Sequence, residues 1–524
     1  MPSLNWIGKD EVINYNPPYH TLEKKYTFNA KNSDNMIIKG DNLLALKSLL
    51  PKYEGKVKCI YIDPPYNTGN ENWVYNDNVN SPQIKKWLGE VVAKDDLSRH
   101  DKWLCMMMPR LKLLHRLLSD DGVIFISIDD NEMANLKLLC DEVFGGGFVC
   151  SFIWKKQGGG KSDSKYVASN CEYILCYKKE KLLEFSKIKK DDSHYKNTDK
   201  DGKKYHLEKL DFGSLSYSAN LDYPITIDGY TFYAGGDKEK YLQRQAGNFT
   251  SKDWCWRCKE EEFWKRYNDN KFIIKTNPKT GIKTIQEKIY LSDEGVWGRF
   301  DTLITGYTNR LANNQIKDIF SGDRVFTYPK PINLIIDLMN LYPSKNFIIL
   351  DSFAGSGTTA HAVLELNKKD GGNRKFILVE MEDYAENITA ERVRRVIKGY
   401  GKEPGNSATG GDFSFYELGE RLLLENGNIN ESISSEKIKE YIYFSETKEK
   451  LSENSSDFLG ECNGVAYYFI YKKDEITTLD FEYLANLKKA SSYVIYADVC
   501  VLSDETMMKY NITFKKIPRD IKKV

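Results

Sequence analysis

Residues 58–70 read KCIYIDPPYNTGN: an apolar run that halts on Asp63, two prolines and a tyrosine. A short apolar run ending in polar or turn residues is the pattern of a strand buried on both faces of a parallel sheet. Four more such runs share this half of the chain: MIIKGD (36–41), GVIFISID (122–129), FVCSFIW (148–154) and CEYILCY (171–177). Two others, FIILD (347–351) and FILVE (376–380), stand far downstream. Helical periodicity fills the gaps, as in NLLALKSLL after Asp41 and WLCMMMPRLKLLHRLL before residue 122. Alternating strands and helices predict an α/β fold with a seven-stranded, Rossmann-like sheet.

The two groups of strands divide the chain. We expect an N-terminal arm (1–34), one half of the sheet domain (35–185), an inserted domain rich in Tyr, Trp, Lys and Asn (186–320), the second half (321–411) and a C-terminal α+β domain (412–524). No window approaches the roughly 18 uninterrupted apolar residues of a membrane span, and MPSLNWIGKDEV has no basic start leading into an apolar run, so a cytoplasmic protein without a membrane partner is expected. The ten cysteines are scattered, which fits reduced thiols. Only Cys255 and Cys258 have metal-like spacing, and without a second close pair of ligands core packing is favoured over zinc.

A net charge of +1 is uninformative by itself, but residues 155–204 carry 14 lysines against 8 acids, with tyrosines interleaved. That is the footprint of phosphate contact. Lys155, Lys156, Lys161 and Lys165 are therefore candidates for DNA binding, against the alternative of a solvated lysine-rich surface.

In an open α/β sheet, ligands bind beyond the carboxyl ends of the strands. Gly355 and Gly357 in DSFAGSGTTAHAV fall in a strand-to-helix turn where backbone can approach a ligand. FILVE ends on Glu380, an acceptor suited to a ribose diol, and IKGDNLLAL ends on Asp41, another acceptor at the same rim. The nearest approach to a phosphate-binding loop, KKQGGGKS, has Lys155 where the first glycine belongs, so the site suits a nucleoside without a triphosphate.

Asp63, Pro64, Pro65 and Tyr66 fit a different task. The prolines fix an extended turn without amide donors, and a carboxylate plus a proline carbonyl can accept both hydrogens of an exocyclic amine. Accepting both favours the pyramidal geometry that frees the lone pair to attack a sulfonium methyl group. The target base would have to leave its duplex, with the Tyr66 ring replacing lost stacking. No proline is followed by cysteine, the dipeptide expected for attack on cytosine carbon-5.

DPPY upstream, DSFAGSGTT downstream and a long insertion between them resemble the β-class amino-methyltransferases of DNA. More narrowly, YIDPPYNTGN, FISIDDNE, EYILCYKK, YPKPINLI and GGDFSFYELG resemble the Mod subunits of type III restriction-modification systems, over roughly residues 35–180 and 320–420. The resemblance implies S-adenosylmethionine as cofactor and adenine N6 in double-stranded DNA as target. It implies an amino clamp of Asp63, Pro64 and Tyr66. Around the cofactor it implies Asp41, Asp63, Asp351, Ser352, Phe353, Ala354, Gly355, Gly357, Thr358 and Glu380, with Lys330 and Pro331 at the methionine end. It further implies a homodimer that lends specificity to a Res helicase-nuclease. Cys171 departs from the pattern, since similar proteins often carry histidine there. The alternatives are a solitary adenine methyltransferase, a cytosine-N4 or RNA base methyltransferase, and an inactive DNA-binding specificity module.

Overall fold

The structure, a computed structural model, describes residues 4–68, 82–92, 97–157, 167–181, 184–213, 217–401, 407–452 and 456–523. The chain forms two compact units, residues 187–300 and the remainder. Residues 301–320, expected within the insertion, thus belong with the sheet. Their two-residue strand pairs with the edge of the main sheet, and Trp154 Nε1 donates to the Tyr307 carbonyl at 2.7 Å.

In the larger unit ten strands form one sheet: β1 (His20–Phe28), β2 (Met36–Lys39), β3 (Val57–Ile62), β4 (Leu118–Ile128), β5 (Phe148–Lys155), β6 (Cys171–Lys178), β7 (Leu303–Ile304), β8 (Ile348–Asp351), β9 (Lys375–Glu380) and β10 (Phe413–Arg421). Their order is β1-β10-β2-β9-β8-β3-β4-β6-β5-β7. The seven expected strands are its contiguous centre. Three differences stand out. β1 lies in the expected arm, β10 in the expected C-terminal domain, and β6 runs antiparallel to both neighbours, so the sheet is mixed. β6 returns antiparallel beside β5 and inserts between it and β4, so the order in this half of the sheet does not follow the chain.

The parallel centre is buried because helices cover it. Helix α1 (Asn42–Tyr53) follows β2, α2 (Arg99–Leu117) precedes β4, α3 (Ile332–Asn340) precedes β8, and α4 (Thr358–Asp370) links β8 to β9. Each start has a local cause. Asp41 Oδ1 accepts from the amides of Leu43 and Leu44 to cap α1, and Ser98 with Asp101 forms a capping box on α2. Ile60, Ile62, Ile124, Ile126, Leu350, Ile377 and Val379 of the strands meet Trp103, Met107 and Leu111 of α2 and Leu46 and Leu49 of α1 in one core.

The decisive feature is that β3, before the insertion, pairs directly with β8, after it, through Ile349 opposite Cys59 and Leu350 opposite Ile60. From there the chain proceeds to β4 on one side and to β9 on the other. The loops leaving β3 and β8 therefore face one crevice at a topological switch point.

Beyond β10, Val465–Phe469, Ser492–Ala497 and Ile512–Lys516 form a parallel sheet with Phe458–Cys462 antiparallel at one edge. The smaller unit is built on an antiparallel sheet ordered Phe272–Thr276, Lys283–Tyr290, Lys204–Lys209, Asn197–Thr198. Cys255 and Cys258 are buried there, Cys258 beside Trp256 and Phe263. Among the described residues, no helix is long and apolar enough to cross a membrane.

Candidate active site

The loop after β3 is pinned from behind. Trp103 of α2 is fully buried and donates its Nε1 hydrogen to the Pro65 carbonyl at 2.7 Å. That bond occupies one of the two lone pairs of the Pro65 carbonyl, and Pro64 beside it lines the crevice as well.

In front of the loop sits a network of two carboxylates and two ammoniums. Lys330 Nζ donates to both Asp63 oxygens at 2.8 Å and to the Tyr66 oxygen at 2.9 Å, and stands 3.5 Å from Glu172. The Tyr66 oxygen is 2.9 Å from Asp63 and 3.0 Å from Glu172, and its one hydrogen can serve one carboxylate at a time. Lys156 donates to the far oxygen of Glu172 at 3.2 Å. Burial, with the nearby Glu172 charge, leaves the Asp63 carboxyl above the usual carboxylate range despite Lys330. Burial acts on Glu172 in the same sense, but Lys330 and Lys156 together hold it below that range. Lys330, facing both carboxylates, stays charged: its pKa is raised although burial opposes it.

Across the crevice, the loop after β8 turns on Gly355 (φ 51°) and Gly357 (φ 79°). Both lie in the left-handed region that glycine enters without strain, and a Cβ on Gly357 would stand 3.1 Å from the Thr389 carbonyl. The backbone is held by acids. Glu380 at the end of β9 accepts from Gly355 N at 2.7 Å and from Glu382 N at 3.1 Å. Asp351 accepts from Phe353 N at 3.0 Å and from the Thr359 hydroxyl at 2.6 Å. Burial pushes both carboxyls up to about 7.

One cavity of about 650 Å³ joins these halves. Asp63, Pro64, Pro65, Tyr66, Lys330, Asp351, Ser352, Phe353, Ala354, Gly355, Thr358 and Glu380 line it. Pro331 and Gly357 lie behind the wall as the residues preceding α3 and α4.

Three expectations need correction. Asp41 does not line the cavity, because its Oδ1 caps α1. The next residue does: Asn42 donates to the Ser352 carbonyl at 2.9 Å and accepts from buried Arg110 at 2.6 Å. Lys330, expected at the cofactor end, turns its ammonium to Asp63 and Tyr66, while its carbonyl accepts from the Thr358 hydroxyl at 3.4 Å. Lys156, expected on a DNA-facing surface, faces Glu172 inside the cavity, whereas Lys155 is exposed on β5. Lys161 and Lys165 lie outside the described residues. Sequence reasoning missed Glu172, Trp103, Asn42 and Arg110. Glu172 had a signal, a lone acid inside the apolar run CEYILCY; Trp103 had none beyond its size.

A family model described as DNA methylase matches residues 57–391. The Type III restriction-modification enzyme EcoPI Mod subunit of Escherichia phage P1 is 34% identical over 432 residues, covering 73% of this chain and 64% of its own. The StyLTI Mod subunit of Salmonella typhimurium is 34% identical over 454 residues, covering 79% and 65%. The chain thus spans just under two thirds of these two relatives. The Type II methyltransferase M.KpnI of Klebsiella pneumoniae is 32% identical over 389 residues, covering 72% of this chain and 88% of its own. On the extent of these matches, and on a clamp and a glycine turn meeting in one crevice, the chain belongs to the DNA methylase family.

Proposed function

We propose that this chain moves a methyl group from S-adenosylmethionine to the exocyclic N6 amine of a flipped adenine in double-stranded DNA. The observation that carries the reading is the single cavity in which the carboxylate of Asp63 faces the glycine turn of residues 355–357 across adjacent strands.

The residues present fit the cofactor. Gly355 keeps the approach to the loop free of a side chain, and Gly357 lets the turn pack against Thr389. The Ser352 hydroxyl is buried there without a hydrogen-bond partner, a polar atom that a ligand can satisfy. Glu380 keeps acceptor capacity beyond its two backbone amides for a ribose diol. When bound, S-adenosylmethionine supplies an electrophilic methyl group. Asp63 and the Pro64 carbonyl accept the two amine hydrogens and localise the nitrogen lone pair, an interaction that strengthens toward the transition state. Tyr66 offers its ring to the displaced base.

We further infer that the unit of residues 187–300 reads the DNA sequence, that the chain works as a homodimer in the cytoplasm, and that it lends specificity to a Res helicase-nuclease. These follow the Mod relatives. The test of the reaction is incubation of the purified chain with methyl-labelled S-adenosylmethionine and duplex DNA, followed by nucleoside analysis. Label in N6-methyldeoxyadenosine supports the reading. Label in N4-methylcytosine moves the clamp to the other amine, and no label in DNA refutes it.

A further inference from the structure

The Lys330 ammonium sits on the carboxylate that the amine-methylating reading assigns to the target amine. It donates to both oxygens of Asp63 and to Tyr66, and it stands 4.9 Å from the centre of the Tyr66 ring that base stacking would use. An exocyclic amine brings two hydrogens to such a site and an ammonium brings three, so the lysine satisfies the carboxylate half of the clamp.

Glu172 offers a second seat. Its Oε2 is 3.5 Å from Lys330 Nζ and 3.0 Å from the Tyr66 oxygen, so one hydroxyl spans both carboxylates. A short swing of the lysine stem exchanges one partner for the other. The backbone need not follow: Lys330 lies between Pro329 and Pro331, whose rings fix φ.

We propose that Lys330 is a resident occupant of the amino clamp, which yields Asp63 to the target amine and stays paired with Glu172 while the base is held. The inference rests on the amine-methylating reading above and makes Glu172 a positioning residue. The design keeps the buried charges compensated at each stage, where a lone buried charge would be costly. It also checks the base. An edge without an amino group returns nothing to Asp63 for the ion pair it displaces, so such a base is rejected at the clamp.

The pH profile of the full chain tests this, with kcat and both KM values measured for wild type, Lys330→Met and Glu172→Gln using duplex DNA and labelled S-adenosylmethionine. Asp63 must be ionised to accept hydrogens. The groups facing it are Lys330, Glu172, Tyr66, Tyr61 and Asp351, with Lys156 behind Glu172. Losing the cation makes Asp63 harder to ionise, so Lys330→Met moves the acid limb of kcat/KM for DNA, which reports the free enzyme, to higher pH by at least about one unit, roughly tenfold in kcat/KM at fixed pH on that limb. Losing the neighbouring anion acts oppositely. Glu172→Gln moves the limb to lower pH and raises KM for DNA, because the displaced ammonium then meets a neutral amide in place of a carboxylate. Limbs that coincide with wild type, or move together, overturn the proposal. So does a Lys330→Met variant whose one defect is a raised KM for S-adenosylmethionine, which would return Lys330 to the methionine end. A wild type that methylates no DNA removes the functional reading itself, and the lysine proposal with it.

Discussion

Glu380→Gln separates a binding role from a folding cost. Glu380 is buried and stands at about 7 in the folded chain, against about 4.3 for an unfolded glutamate. Between those values the folded chain holds a proton that the unfolded chain releases. Stability from this group is therefore intact below pH 4, falls as pH rises, and levels off above pH 7 at a loss of roughly 4 kcal/mol. Glutamine removes that loss. Its carbonyl can replace the acceptor for Gly355 N, but its amide group then faces Glu382 N, at a cost of about 1 kcal/mol. The variant should be more stable than wild type by about 3 kcal/mol at pH 8, and within about 1 kcal/mol of it at pH 5, where most of the relief is gone. Chemical denaturation of both proteins without cofactor, at the two pH values, measures the difference directly. Calorimetric titration at pH 8 should show S-adenosylmethionine binding weakened roughly tenfold, since a neutral amide is a poorer acceptor for ribose hydroxyls than a carboxylate. A variant that loses the same stability at both pH values would refute the idea that Glu380 is a carboxylate held at a folding cost for its ligand.

Trp103→Phe leaves the Pro65 carbonyl without its buried donor, which should lower unfolding stability by about 1–3 kcal/mol and reduce kcat; unchanged denaturation and turnover would mean the indole does not hold the loop. Tyr66→Phe keeps the ring but cuts the link between Asp63, Glu172 and Lys330, so kcat should fall about tenfold, with Tyr66→Ala lower still. Full activity in the phenylalanine variant would reduce Tyr66 to a stacking ring. Lys155→Ala should lower the slope of log affinity for DNA against log salt by about one without changing kcat, whereas Lys156→Ala should lower kcat and leave the slope alone; the reverse pattern in a filter-binding and turnover comparison would put the cavity lysine on the phosphates.

The parts of the fold written in local pattern were legible in the sequence. Each of the seven strands is an apolar run ended by a polar residue, and β3 and β8 were marked further by the prolines and glycines that follow them. β1 and β10 were not, because they lie toward one edge of the sheet, half-exposed in part, and carry the charged residues that such positions tolerate. The direction of β6 depends on how β5 returns, which composition does not encode. Within the site, residues whose backbone chemistry is unusual, Asp63-Pro64-Pro65 and Gly355, were readable from spacing. Partners joined only in space were not. Glu172 lies 106 positions from the Tyr66 it meets, and Lys330 lies 267 from Asp63. Asp41 shows the opposite failure: an acid at a strand end reads equally as a ligand acceptor or a helix cap, and the amides of Leu43 and Leu44 decide it.

The central claim is that Asp63 and the glycine turn of residues 355–357 cooperate in methylating an adenine amine. Single-molecule sequencing of DNA from cells carrying the gene, lacking it, or carrying Asp63→Ala tests it most directly. The expected result is N6-methyladenine on one strand of a short asymmetric site, present with the wild-type gene alone. Marks that persist with Asp63→Ala, or the absence of any gene-dependent mark on DNA, would contradict the claim.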